Sequence, residues 1–460
     1  MRINRVGSSW RAYQAQLKRT EKKASQKRIV RRQLKFLFPL IAVCFAVYVS
    51  ITGSFGSLFY HPKEAPETIK TQNTSTKEAG PVFLNKDEIR HIIDSSQIAN
   101  LDDNSFEIQN NGKRLRVQTS IDQSLQNFLL KKLDRKNSSQ IGIVAMDPEN
   151  GRILALVGYD RSDPLNNPCL DSSFPAASIF KIITAAAALE KGNLHLDSRL
   201  QYNGGKYTLY KSQLKEKTNR YTNKISLKDA FAKSVNPVFG KLGSLYLGKE
   251  ELESYARAFG FNRPINFEMS LSPSPIVLTD EPYQWAEIAS GFNRQTKMSP
   301  VHGALISATI FNQGRLIEPT IVDRIVDEKG VELYQSQPAT IDQAFAPDTS
   351  DELNELMKAT IRTGTVKSAF RKYRRDKIIS RLEIGGKTGT INNKTDDVKY
   401  EWFVGYAQDK AGHGKLILSV MVAHNKYIGV RAARYAIMAF KEYFKKRFAQ
   451  MDQPSSPEPG

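Results

Sequence analysis

Ser178 and Lys181 stand three residues apart in Ser178-Ile-Phe-Lys181. On a helix, positions i and i+3 share a face, so the hydroxyl and the amine can meet. Serine is a weak nucleophile until a neighbouring base takes its proton. A free lysine, with a pKa of about 10.4, is almost wholly protonated at neutral pH. Serving as that base means holding the amine roughly 3 pH units lower, about 4 kcal/mol. Burial, a second cation nearby and the positive end of a helix all push that way. A helix is expected over 175–191, opened by Pro175 and followed by Gly192. Both groups then fall in its first turns, and Ile179, Phe180, Ile182 and Ile183 supply apolar cover. The chemistry would be acyl transfer, with an alcohol opening an amide. Alone the pattern is weak, because Ser212-Gln-Leu-Lys215 repeats it. That copy lies in the polar run LYKSQLKEKTNR and reads as a solvated loop.

Two further stretches could complete such a site. Ser234-Val-Asn236 is the only Ser-x-Asn in the chain and precedes Pro237, which disfavours helix at Asn236. A hydroxyl and an amide two residues apart in a turn can point into one cleft. Ser234 could relay a proton to a leaving amine, and Asn236 could bond both Lys181 and a substrate amide. The plainer alternative is a helix-end cap. Lys387-Thr388-Gly389-Thr390 follows Gly385-Gly386 and is expected just before a strand. Glycines there would let a substrate backbone approach closely. Threonine hydroxyls with a lysine make a carboxylate-binding edge, and backbone N–H groups can face an oxyanion. A near-copy, Arg362-Thr363-Gly364-Thr365, falls at the end of an expected helix, where glycine is an ordinary cap.

These groups need elements to hold them. IGIVAMDPENGRILALVG (141–158) reads as a hairpin turning at Asn150-Gly151. Further helices are expected at 226–247, 249–259, 304–314, 348–364 and 429–449, and strands at 401–407 and 415–424. Strands at both ends enclosing a helix-rich middle imply an α/β (α+β) fold. One antiparallel sheet from distant segments would be flanked by helices, with an all-helical subdomain. The segment 81–114 is too short to stand alone and is expected to pack on a catalytic domain spanning 115–450.

The remaining chain bears on location. Residues 1–35 hold twelve Lys/Arg against one acid, Glu21, and so carry +11 of the net +20. The basicity is therefore a local feature, and no zinc-finger or RNA-binding signature supports a nucleic-acid partner. Phe36 to Tyr60 is uncharged over 25 residues, longer than the roughly 20 a bilayer core needs. Basic residues before it place the N-terminus in the cytoplasm and the rest outside, so 36–60 is expected to be an uncleaved transmembrane helix. The rival, a signal peptide, lacks a clear cleavage site. Residues 61–80 read as a linker and 451–460 as a disordered tail. Cys44 and Cys169 cannot pair across that geometry. The six histidines lie outside all three stretches and are too scattered for a metal site. No cofactor is implied.

Taken in order, Ser178-x-x-Lys181, Ser234-x-Asn236 and Lys387-Thr388-Gly389 mark penicillin-recognising serine enzymes. The chain resembles the penicillin-binding protein transpeptidases, in a form without a glycosyltransferase domain. The likeness extends to QTSIDQSLQ, AMDPENGRILALVG, IRTGT and EWFVGYA, covering about residues 115–447. It implies that Ser178 attacks the penultimate D-alanine carbonyl of a peptidoglycan stem peptide. Lys181 would be the base, Ser234 the proton relay, Asn236 the positioning amide and Lys387 the electrostatic tuner. Thr388 and Thr390 would bind the terminal carboxylate, beside Gly389, and the N–H groups of Ser178 and Thr390 would hold the oxyanion. β-Lactams would acylate Ser178. A separate glycan polymerase is an expected partner. Water as acceptor (a D,D-carboxypeptidase or β-lactam hydrolase) and a non-catalytic β-lactam sensor or wall-assembly scaffold remain alternatives. Ala177 stands where the family often has glycine.

Overall fold

The computed structural model describes residues 83–451. The basic segment 1–35, the apolar run 36–60, the linker 61–80 and the tail after Met451 lie outside the described residues. Among the described residues, no helix is long and apolar enough to cross a membrane.

After a short helix at Lys86–Ile92, β1 (Ser105–Asn110) and β2 (Lys113–Thr119) form a hairpin. β3 (Ser138–Met146) and β4 (Ile153–Asp160) follow as the hairpin legible in the sequence, pairing Ile143 with Val157. β2 pairs with β5 (Val322–Asp327), which pairs with β6 (Glu332–Gln335). The first hairpin is thus one half of a four-stranded sheet whose other half lies some 200 residues on, unforeseen in the sequence.

The main sheet is antiparallel and five-stranded. Its order is β7 (Leu382–Asn392), β8 (Lys399–Asp409), β9 (Lys415–His424), β3, β4. Alternating side chains send Trp402, Val404 and Ile417 to one face and Phe403, Leu418 and Val420 to the other. The final helix, α8 (Ala432–Met451), covers the second face with Tyr435, Phe440 and Phe444. The buried helix α5 (Pro300–Phe311), capped by Ser299, covers the first. It comes close because Gly142 and Gly303 lack side chains. A Cβ at Gly303 would sit 2.4 Å from Ser419 Oγ. β7 is an edge strand, so alternate backbone groups along its outer side have no sheet partner.

The helical part between the two ends of the main sheet departs from the sequence reading in two places. The helix expected from Pro175 starts later. Phe174 and Pro175 pair with Lys297 and Met298, a 3₁₀ turn follows at Ala177–Phe180, and α1 runs Lys181–Glu190. The single helix expected at 226–247 is broken into α2 (Leu227–Ala232), α3 (Asn236–Lys241) and a π-helical turn at Leu242–Leu247. Both breaks fall at residues singled out for chemistry. Completing the described helices near the site are α4 (Pro282–Ala289), α6 (Pro347–Arg362) and α7 (Lys367–Arg371).

Candidate active site

Ser178 sits in the 3₁₀ turn directly after Ala177, whose φ is 49°. That left-handed conformation costs a non-glycine residue roughly 1–2 kcal/mol. It is held from two sides. Gly291 packs so tightly that a Cβ there would lie 1.9 Å from Ala177 O, and its own φ is 63°. Trp402 Nε1 donates to Pro175 O at 2.9 Å, tying the same turn to the central sheet. Strain of this kind persists only where the surroundings impose it. Here it lifts Ser178 out of the helix while leaving Lys181 as the first residue of α1.

Lys181 is fully buried. Its Nζ lies 2.9 Å from Ser178 Oγ and 2.7 Å from Asn236 Oδ1, and it also donates to the carbonyl of Ser290. No carboxylate offsets its charge in this contact set. Burial, with the Lys387 charge second, holds the amine well below the ordinary lysine range. Ser234 also takes a left-handed conformation, φ 55°, and its N–H is taken by Phe231 O at 3.0 Å. That kink breaks the predicted helix and turns Ser234 and Asn236 into the cleft. Asn236 Nδ2 donates to Tyr207 O at 3.0 Å, which fixes the amide with its oxygen toward Lys181.

Lys387 is equally buried and reaches Ser234 Oγ at 3.1 Å and Thr388 O at 2.8 Å. Burial brings its pKa down to about 7. The Phe231 and Phe239 rings wall the two amines, each 5.5 Å from one Nζ. The five groups form two hydrogen-bonded sets, Ser178 Oγ with Lys181 Nζ and Asn236 Oδ1, and Ser234 Oγ with Lys387 Nζ, coupled through the Lys387 charge on Lys181.

The structure corrects three expectations here. Lys387-Thr388-Gly389-Thr390 is within β7, not before a strand. Gly385 and Gly386 do not clear space for a ligand. A Cβ at either would lie within 2.6 Å of the Tyr406 or Phe403 ring, so they admit those rings beneath the strand. Gly389 is the one facing the nucleophile's turn, with Ala177 Cβ 3.2 Å from where its own would be. The discounted Arg362-Thr363-Gly364-Thr365 copy also belongs to the site. Gly364 passes so close to the end of α2 that a Cβ would meet Ala232 O at 2.3 Å, and Thr365 N donates to that same oxygen. Thr365 Oγ1 then lies 2.6 Å from Thr388 Oγ1. The repeated Thr-Gly-Thr was the signal that could have found it.

The remaining candidates are structural. Ser212 and Lys215 are exposed. Cys169 is fully buried, which pushes its thiol up and leaves it inert. His302, buried between Ser274 Oγ and Phe259 O, is pushed down to about 4. A cavity of about 1110 Å³ opens over Ser178, Ser234, Asn236, Thr365, Thr388 and Thr390, large enough for an extended peptide.

Comparison with known proteins identifies the family and the fold. The transpeptidase domain of penicillin-binding proteins matches residues 141–445. Stage V sporulation protein D of Bacillus subtilis is 26% identical over 303 residues, covering 62% of this chain and 45% of that protein. Peptidoglycan D,D-transpeptidase PbpA of Mycolicibacterium smegmatis is 28% identical over 324 residues, covering 61% of each. The chain thus spans 45% to 61% of the length of these relatives. Among solved structures, the D,D-transpeptidase domain of a peptidoglycan glycosyltransferase from Eggerthella lenta superposes with a TM-score of 0.61 at 21% identity, covering 79% of this chain and 91% of that one. PBPA of Mycobacterium tuberculosis superposes with a TM-score of 0.57 at 23% identity, covering 71% and 79%. With a family match to well over half of its length and the fold shared, the chain belongs to the penicillin-binding protein transpeptidase-domain family.

Proposed function

We propose that the protein is a peptidoglycan D,D-transpeptidase that works through a Ser178 acyl-enzyme and is inhibited by β-lactams. The observation that carries this reading is the buried Lys181 amine between Ser178 Oγ and Asn236 Oδ1, with Lys387 on Ser234. Ser178 Oγ attacks the penultimate D-alanine carbonyl as its proton passes to Lys181. The N–H groups of Ser178 and Thr390 bind the oxyanion. The C–N bond breaks as the proton taken up by Lys181 is passed through Ser234, beside Lys387, to the nitrogen of the departing D-alanine, leaving Lys181 neutral and Ser234 protonated. An amine of a second stem peptide then attacks the ester, forming the cross-link and returning the proton to Ser178. Thr388 and Thr390 hold the terminal carboxylate beside Gly389, and Thr365 joins them. Residues 115–450 form this domain, with 81–114 packed on it. Residues 36–60 anchor it to the cytoplasmic membrane, the N-terminus inside and the domain outside, beside a separate glycan polymerase.

The relatives named D,D-transpeptidase, and acyl-enzyme complexes of M. tuberculosis penicillin-binding protein A with ceftriaxone and penicillin G, support the chemistry. The test is incubation of the full chain with a stem pentapeptide and an amine acceptor. Release of D-alanine with amide formation is expected. Release with water as the sole acceptor would make it a carboxypeptidase, and no release would end the enzymatic reading. In Thr365→Val, KM for the pentapeptide should rise about 10-fold or more, the loss of a hydrogen bond to a charged group. Stability should stay within about 0.5 kcal/mol, because Thr365 is exposed.

A further inference from the structure

The cavity does not end at Thr390. It continues along β7 toward the start of α8, where Glu401, Lys399, Arg431 and Arg434 also line it. The strand register explains the placement. Thr390 is directly opposite Glu401 and Asn392 opposite Lys399, so these four side chains share one face. Glu401 is only 7% exposed. Its Oε2 lies 3.2 Å from Nε2 of the fully buried His424 and 3.4 Å from Arg431 Nη1. His424 Nδ1 is buried with no hydrogen-bond partner among the described residues. On the opposite rim, Arg294 Nε donates to Asn392 O at 2.7 Å, which leaves its positive charge over the end of the strand.

A buried carboxylate on a buried imidazole with an unsatisfied nitrogen is costly, and the sheet gains nothing from it that apolar residues would not supply. The cost makes sense at a ligand site. The buried acid Glu401, with the exposed Asp396 on Asn392, beside several bases suits a ligand bearing both charges. A peptide laid along β7 with its terminal carboxylate at Thr388 and its reacting carbonyl at Thr390 places its preceding residue at this end.

We infer that the Glu401–Arg431–Arg434 end of the cleft binds an amino-acid head group, an ammonium and a carboxylate on one carbon. It would be carried by the side chain of the residue before the D-alanyl-D-alanine pair. The ammonium pairs with Glu401 and the carboxylate with the arginines. The stem peptide's third residue is then a diamino diacid, not lysine, whose side-chain amine has no neighbouring carboxylate. This inference rests on the transpeptidase reading.

The test compares D-alanine release by the full chain from two pentapeptides that differ only at the third residue, meso-diaminopimelate or lysine. Penicillin labelling of every variant is the parallel readout. The wild type should favour the diaminopimelate peptide at least 10-fold in kcat/KM, chiefly through KM. Glu401→Gln and Arg434→Ala should each pull that ratio toward 1. Equal rates with the two peptides in the wild type would overturn the inference. So would a ratio unmoved in both variants, the result expected if the cluster were only structural. Either result leaves the Ser178 reading standing, provided penicillin labels the protein. Failure of both labelling and D-alanine release would overturn that reading and the inference with it.

Discussion

Covalent labelling by a fluorescent penicillin should vanish in Ser178→Ala, persist in Ser212→Ala, and slow by about 10³-fold or more in Lys181→Met. The Ser178 result follows because Ser178 Oγ is the hydroxyl held 2.9 Å from the buried Lys181 amine, whereas Ser234, on Lys387, is assigned to proton relay. The Ser212 contrast is informative because the two serines share a motif and differ in setting. Ser212 and Lys215 face solvent, whereas Lys181 is fully buried 2.9 Å from Ser178 Oγ. A positioned general base contributes typically 10²–10⁴-fold. Lys181→Met removes the base and also leaves Asn236 Oδ1 and Ser290 O without their donor, which places the expected loss in the upper part of that range. Labelling of Ser178→Ala at the wild-type rate would refute the nucleophile. Unchanged labelling of Lys181→Met would refute the base.

The second large effect is on stability. Lys387 titrates near 7 in the fold because burial disfavours its charge, against about 10.4 in the unfolded chain. Between those values the unfolded state binds more protons. The burden on the fold is therefore complete below pH 7, about 5 kcal/mol at most, and is relieved as pH rises toward 10. Lys387→Met removes that burden but leaves Ser234 Oγ and Thr388 O unpartnered, a loss of roughly 1–3 kcal/mol. At pH 7 the variant should be the more stable protein, and it should be poorly active. Its advantage should shrink by about 1.4 kcal/mol for each pH unit from 7 to 9. Urea unfolding of both proteins across that range reads the difference. Curves that run parallel with pH would contradict it.

Such a trade is what a site built on two buried amines entails, and it bears on what the sequence could reveal. The three motifs were legible because hydroxyl, amine and amide at short fixed spacings have few other uses together. The hairpin at 141–158 and the strands at 401–424 were legible because their apolar runs are long and bounded by turns. The kink at Ser234 was not. Residues 226–247 carry helical apolar spacing throughout, and only packing against the cleft imposes φ 55° there. The late start of α1 has the same cause, since Ala177 is held left-handed by Gly291, more than a hundred residues away. Thr365 was hidden because Gly364 already had a sufficient local explanation at the end of α6. The four-stranded sheet was hidden because β1 and β6 are short, half-polar strands whose pairing depends on distant partners.

Direct titration of the Lys181 side chain is the most decisive measurement. With lysine labelled at ¹³Cε and the signal assigned by its loss in Lys181→Met, the resonance should report a neutral amine at pH 7, with its midpoint well below the ordinary lysine value. A midpoint near 10.4, the value of a free lysine, would mean a protonated amine beside Ser178 and no base to activate it.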